Sequence, residues 1–135
     1  MSLTTARKGM RNAVAALFTG VAIEYENAPV TPAAGAKWIQ IYSLDGRPRV
    51  DTLGSNGDNI VKSITQVTIN YPIGTGSGAA ETDYETLQAR FPAGSSLTES
   101  GQAVTFENVD MATGSIGTLW YKVYFSINWY AFIPR

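Results

Sequence analysis

The last stretch of the chain, Leu119 to Phe132, reads LWYKVYFSINWYAF, and its side chains alternate in character without a break. Leu119, Tyr121, Val123, Phe125, Ile127 and Trp129 fall on one side of an extended backbone. Trp120, Lys122, Tyr124, Ser126, Asn128 and Tyr130 fall on the other. A period of two marks a β-strand with one apolar face and one aromatic-polar face. At about 3.3 Å per residue such a strand spans roughly 45 Å, whereas a small domain is only about 30 Å across. Part of the strand is therefore expected to overhang the body of the protein or to reach a neighbouring molecule.

At 135 residues the chain is expected to form one domain, residues 1–135, with a core that needs no staples. Ten basic and eleven acidic residues leave a net charge of −1, which excludes the broad basic footprint of a protein that wraps nucleic acid. Charged residues make up 16% of the chain, against a usual share of about a quarter. A surface so poor in charge is often buried against partners. Cysteine and histidine are both absent. The thiolate nucleophile, the commonest general base and the usual transition-metal ligands are thus missing, and without disulfides the redox compartment stays open.

Near the N-terminus Arg7, Lys8 and Arg11 precede AVAALFTGVA, the outline of a secretory or transit segment. Ala6, Met10, Val14 (or Ala13) and Leu17 nevertheless share one helical face, and Gly20 sits where a helix would end. An amphipathic first helix is the expectation. No apolar run approaches the length of a membrane span, so a soluble protein is expected. VAIEYE, residues 21–26, reads as a short strand; NAPVTPAAG, residues 27–35, breaks regular structure at Pro29 and Pro32. WIQIYS, residues 38–43, restores a strand. Leu44 to Asn59 then reads as a long polar loop with three glycines, carrying Arg47 and Arg49. Val61 to Tyr71 is a second long strand in which Ile64 interrupts the alternation, marking a bulge or burial on both faces.

After Pro72, the residues Ala80, Tyr84, Leu87 and Phe91 align on one side of a helix that Pro92 and Gly94 end. Glu81, Asp83 and Glu85 lie in its first turns, where carboxylates are favoured. AVTFE, residues 103–107, is a further short strand, and Asn108 to Thr118 reads as a connection into the last one. The order is αβββαββ. It specifies an α+β fold with two helices packed on a mostly antiparallel sheet of about five strands. No internal repeat divides it.

The chemistry-bearing motifs are weak. Gly74, Gly76 and Gly78 make a GxGxG turn between strand and helix, but dinucleotide sites use GxGxxG, and the acids behind this turn would repel a pyrophosphate. No lysine follows the glycines, which excludes a P-loop. The eleven acids offer carboxylate pairs on paper, none in a setting that raises a pKa. Asp51 and Asp58 share the long loop without EF-hand spacing. Tryptophans and tyrosines without interleaved lysine and arginine are core and interface residues more often than a platform for bases. No enzyme activity, cofactor or metal is expected.

Taken in order, an N-terminal helix, IEYENAPVTP, a strand beginning KWIQI, a glycine-rich loop with an arginine, a long strand ending YP, IGTGSG, a helix ending RFPAG and the final strand WYKVYFSINW resemble the tail terminator proteins of long-tailed bacteriophages. The likeness covers nearly the whole chain, and its most telling pieces are Glu26 to Pro29, Arg90 to Gly94 and the aromatic last strand. Tail-completion and head-tail joining proteins of similar size share this general pattern. The resemblance implies a small α+β protomer assembling into a ring, usually of six, in the tail of the virion. It also implies assembly in the host cytoplasm, a tail tube protein and a head connector protein as partners, DNA only in passage, and no chemistry.

On that reading Trp120, Tyr124 and Tyr130 are candidates for subunit contacts, since amphipathic aromatics are favoured at interface cores; the alternative is that a second helix covers their face. Arg47 and Arg49 are candidates for contact with the tube or the DNA path, the alternative being solvated turn charges. Glu81, Asp83 and Glu85 are candidates for pore-lining acids, the alternative being a plain exposed helix face. A different class of function also stays open: a monomeric binding module with an apolar groove near Trp38 and Trp129 that takes a small ligand, or a peptide at a free strand edge.

Overall fold

The computed structural model describes residues 2–26, 28, 29, 31, 35–74, 76–112, 114–117 and 119–134. Several residues of the irregular segment expected over 27–35, Asn27 and Pro32 among them, lie outside the described residues, as does Thr75 of the glycine-rich turn.

The elements follow the order α1 (Leu3–Leu17), β1 (Ala22–Tyr25), β2 (Trp38–Asp45), β3 (Arg49–Val50), β4 (Asp58–Pro72), α2 (Gly78–Arg90), β5 (Ser96–Glu99), β6 (Gln102–Met111), β7 (Ser115–Ile116) and β8 (Trp120–Pro134). The fold is mixed α+β with two helices, as the pattern of residues predicts. The expectation of about five strands in the order αβββαββ is corrected to eight strands in one sheet, ordered β1-β2-β4-β8-β6-β5, with β3 beside β4 and β7 beside β8. All the pairings are antiparallel except that of β1 with β2, which is parallel.

The three extra strands are short and have clear causes. β5 is joined to β6 by Ser100 and Gly101, both at positive φ (48° and 84°). That is the backbone of a two-residue type I′ hairpin. Serine in place of the usual Asn or Asp conceals the turn in the sequence. β3 and β7 are two residues each and too brief to show a period. β6 runs on to Met111 because a bulge at Glu107 resets its register: Phe106 faces Trp129 and Asn108 faces Asn128. The broken alternation at Ile64 allows two readings, a bulge or burial on both faces; β4 has no bulge against β8, and it is buried on both faces from Val67 to Tyr71. β4 pairs with β8 at all fifteen positions without a shift. Its alternation looks broken in sequence because Ser63 and Thr65 face inward while Ile64 faces out.

β4 and β8 build the core from alternate residues. Val67, Ile69 and Tyr71 of β4 and Val123, Phe125, Ile127 and Trp129 of β8 point to one face and are buried. α1 lays Ala6, Met10, Ala13 and Val14 on that face, its first turn closed by the Ser2 hydroxyl accepting from the Thr5 amide at 3.1 Å. α2 lays Ala80, Leu87 and Phe91 on the same face; Phe91 meets Phe106 edge-on at 5.0 Å, and the Tyr84 hydroxyl donates to the Val109 carbonyl. The Trp129 indole, fully buried, donates to the Thr65 hydroxyl at 2.9 Å. A buried N–H therefore has its acceptor.

The β4–β8 ribbon is longer than the body around it, as the span of the last strand predicts. β2 covers β4 only over residues 63–70. Beyond that, β3 flanks one end and β7 the other. The expected long loop from Leu44 to Asn59 is accordingly corrected: β2 continues to Asp45, β4 starts at Asp58, and the residues between form an arm folded back on β4 through Arg49↔Ile60 and Val50↔Asn59. Gly46 starts the arm with its amide on the Lys62 carbonyl at 2.8 Å, and a Cβ there would lie 2.5 Å from that oxygen.

Phe91→Ala removes a ring fully enclosed against Phe106 and should cost about 3–5 kcal/mol. In urea titrations the midpoint should fall with an unchanged slope.

Candidate assembly surfaces

Both helices sit on one face of the sheet, so the opposite face carries none among the described residues. The alternative that a second helix covers the aromatic-polar side of the last strand is thereby excluded. On this open face Trp120, Tyr124 and Tyr130 are each half-buried. Trp120 meets Trp38 edge-on, ring centroids 6.1 Å apart, and Tyr130 meets Phe132 edge-on at 5.7 Å. Between them Thr68 and Asn70 are buried, although no helix lies above them. The rings therefore stand as a belt along the sheet, each half wet and half packed, which suits amphipathic aromatics.

Arg47 and Arg49 are exposed on the arm, and neither forms an ion pair among the described residues. The arm has hydrogen bonds of its own: the Asp51 and Thr52 amides donate to the Asp58 carbonyl at 3.0 and 3.2 Å, and the Thr52 hydroxyl accepts from the Asp58 amide at 2.6 Å. The guanidinium groups are thus held in solvent by an ordered base.

The three candidate acids part company. Glu81 and Glu85 are exposed, but Asp83 is buried, which corrects the expectation that all three share an exposed helix face. Asp83 accepts from the Tyr71 hydroxyl at 2.7 Å and from the Lys37 ammonium at 3.2 and 3.3 Å. It is three residues after Ala80 and four before Leu87, both buried, and so belongs to the inward face of the helix. This group ties α2 to the end of β4 and the start of β2. Burial, then the adjoining Asp83 carboxylate, pushes the Tyr71 phenol well above its ordinary range.

The groove suggested near Trp38 and Trp129 is also corrected. Trp129 lies in the core on the helix side, while Trp38 stands on the open face against Trp120. The two indoles occupy opposite sides of the sheet, and no groove lies between them. A hollow of about 340 Å³ exists elsewhere, lined by Pro72, Ile73, Gly74, Gly76, Ser77, Ile116 and Tyr121. The sequence reading missed it because it joins the β4–α2 turn to β7, which are 40 residues apart and are brought together by the pairing of Ser115 and Ile116 with Lys122 and Tyr121. No group of histidine, cysteine, aspartate or glutamate suited to a metal occurs among the described residues. No described helix is long and apolar enough to cross a membrane.

This charge-poor α+β chain leaves aromatic and apolar surface open to contact. The chain belongs to the phage tail terminator protein family, whose match covers residues 5–129. It is accordingly a component of the bacteriophage tail, from a family whose role is structural. Among curated proteins none matches. One solved structure, of a protein bearing only a sequence label, is similar over 97% of this chain and 96% of its own, with a TM-score of 0.74 and 23% identity. That likeness is one of fold.

The raised Tyr71 value has a pH consequence. The phenol is neutral when protonated, so its stabilisation is whole below the unfolded value of about 10 and is lost as pH rises above it. Unfolding free energy of the wild type should therefore fall above about pH 10. Tyr71→Phe should lack that part of the fall, as measured by denaturant titrations across the range.

Proposed function

We propose that copies of this chain close into a ring, of six by the family resemblance, that caps the head-proximal end of the tail tube. The ring stops tube polymerisation and presents a joining surface to the head's connector protein. It assembles in the host cytoplasm, and DNA meets it only in passage. The observation that supports this reading is a sheet face without a helix among the described residues, on which Trp120, Tyr124 and Tyr130 are half-buried rings that a neighbouring subunit would finish burying. A cyclic ring needs two different patches per subunit, each meeting the other on the next copy. An open face and a projecting arm supply unlike patches. Arg47 and Arg49 stand in solvent, where an anionic partner can reach them, be it tube, DNA in transit or a neighbouring subunit. Glu81 and Glu85 keep the exposure that a pore-lining role requires; Asp83 does not.

The test is to add the protein to polymerising tail tube protein and measure tube length. Wild type should hold tubes at a limited length. Tyr124→Ser with Tyr130→Ser should remain a folded monomer and leave tubes growing, since interface anchors cost about 2 kcal/mol or more each when truncated. Tubes that ignore the wild-type protein would remove the capping role; rings that persist in the double variant would remove the aromatic face from the interface.

A further inference from the structure

Most of the exposed large apolar side chains sort into two groups. Val50, Leu53 and Phe132 lie at the arm end of the β4–β8 ribbon. Ile73, Ile116 and Leu119 lie at the other end, where Ile73 and Ile116 line the hollow. Two others, Leu44 and Met111, belong to neither group and lie beside the middle of the ribbon, opposite Ile64 and Phe125. Clustered apolar surface of this kind marks a contact site rather than ordinary scatter.

The two groups differ in shape. The arm is a projection: Leu53 is 93% exposed at its tip and Val50 65%. The other end is concave, with Ile116 (78% exposed) at the wall of the hollow above Tyr121 and Pro72. They differ in charge as well. The arm carries Arg47 and Arg49 against Asp51, Asp58 being engaged within the chain. On the other side Glu81 borders the adjoining cleft with Met111 and Tyr121, and Glu85 follows one turn along α2. Lys122 points to the opposite face of β8 from Tyr121. A basic, apolar projection and an apolar hollow with Glu81 on the adjoining cleft are complementary.

They cannot meet within one molecule. Val50 pairs with Asn59 and Ile116 with Tyr121, which faces Tyr71, so the two sites are twelve strand residues apart, about 40 Å. Resting on the ring reading above, we infer that the arm of one copy, with Leu53 at its tip, seats in the Ile73–Ile116–Tyr121 hollow of the next, Arg47 and Arg49 facing Glu81. The contact is head to tail. Tyr130 lies at the arm end of the ribbon, on its open face.

The chain has no cysteine, so introduced thiols report without background. Leu53→Cys and Ile116→Cys are made separately and treated with a short bismaleimide at concentrations where the wild type assembles, or on capped tubes. Each alone should remain unlinked, their equimolar mixture should give one dimer band, and the double variant should give a ladder of multimers. Linking by either single variant alone would indicate a two-fold contact and overturn the inference. Rings seen by microscopy without any mixed link would overturn it while leaving the ring intact. A protein that stays monomeric alone and with tubes would remove both readings. On the Ile116→Cys partner, Glu81→Arg should lower the mixed yield several-fold, and Arg49→Glu on the Leu53→Cys partner should restore it. A yield indifferent to both would assign the arginines to tube or DNA and overturn the charge pairing.

Discussion

The unbroken pairing of β4 with β8 is the constraint on which the rest of the molecule depends. Alternate side chains of both strands face the helices over the whole ladder, and their neighbours form the open aromatic face. A slip of one residue would turn Val123, Phe125, Ile127 and Trp129 out to water and bring Tyr124, Ser126 and Asn128 into the core. The Trp129–Thr65 hydrogen bond opposes such a slip, because it joins diagonal neighbours on the inner face and would leave a buried indole N–H without an acceptor. One register thus fixes the core, the open face and the positions of both overhanging ends.

Much of this was legible in the residues. The period-two run from Val123 to Trp129 and the spacing of Ala6, Met10 and Val14, or of Ala80, Leu87 and Phe91, reflect side chains whose burial the local geometry decides, and these are found buried, whereas Leu17, Tyr84 and Tyr121 are half-buried and Leu119, ahead of the strand, is 73% exposed. What escaped depends on distant partners. β7 exists only because Tyr121 and Lys122 lie beside it, and β5 because a serine tolerates positive φ ahead of Gly101. Asp83 could be placed on the inward face of its helix by counting from Ala80. Its burial makes sense only with Tyr71 and Lys37 at hand, and neither is close in sequence. The hollow was invisible for the same reason, while the exposure of Arg47 and Arg49 was legible because charge on a polar segment needs no tertiary partner.

Sparse charge has a physical counterpart in the structure. The charged side chains near the core are engaged: Asp83 as above, and Arg7 with Asp45, whose other oxygen accepts from Ser63. On the open face rings and amides stand among the charged side chains Glu24, Lys62, Asp110 and Lys122. Asn108, Asp110 and Asn128 form a hydrogen-bonded cluster there. Such a face is wettable enough for a free subunit and apolar enough to be covered by another, which suits a component made separately and then built into a phage tail.

The length of the central ribbon also has a mechanical meaning. β4 and β8 each run from the arm end to the hollow end as one continuous stretch of backbone. A pull applied between those two ends is carried by covalent bonds along both strands, and the cross-strand hydrogen bonds, lying perpendicular to the pull, are sheared together and not peeled apart one by one. The subunit is thereby stiffest along its own long axis, a tie rod with helices clamped to one side.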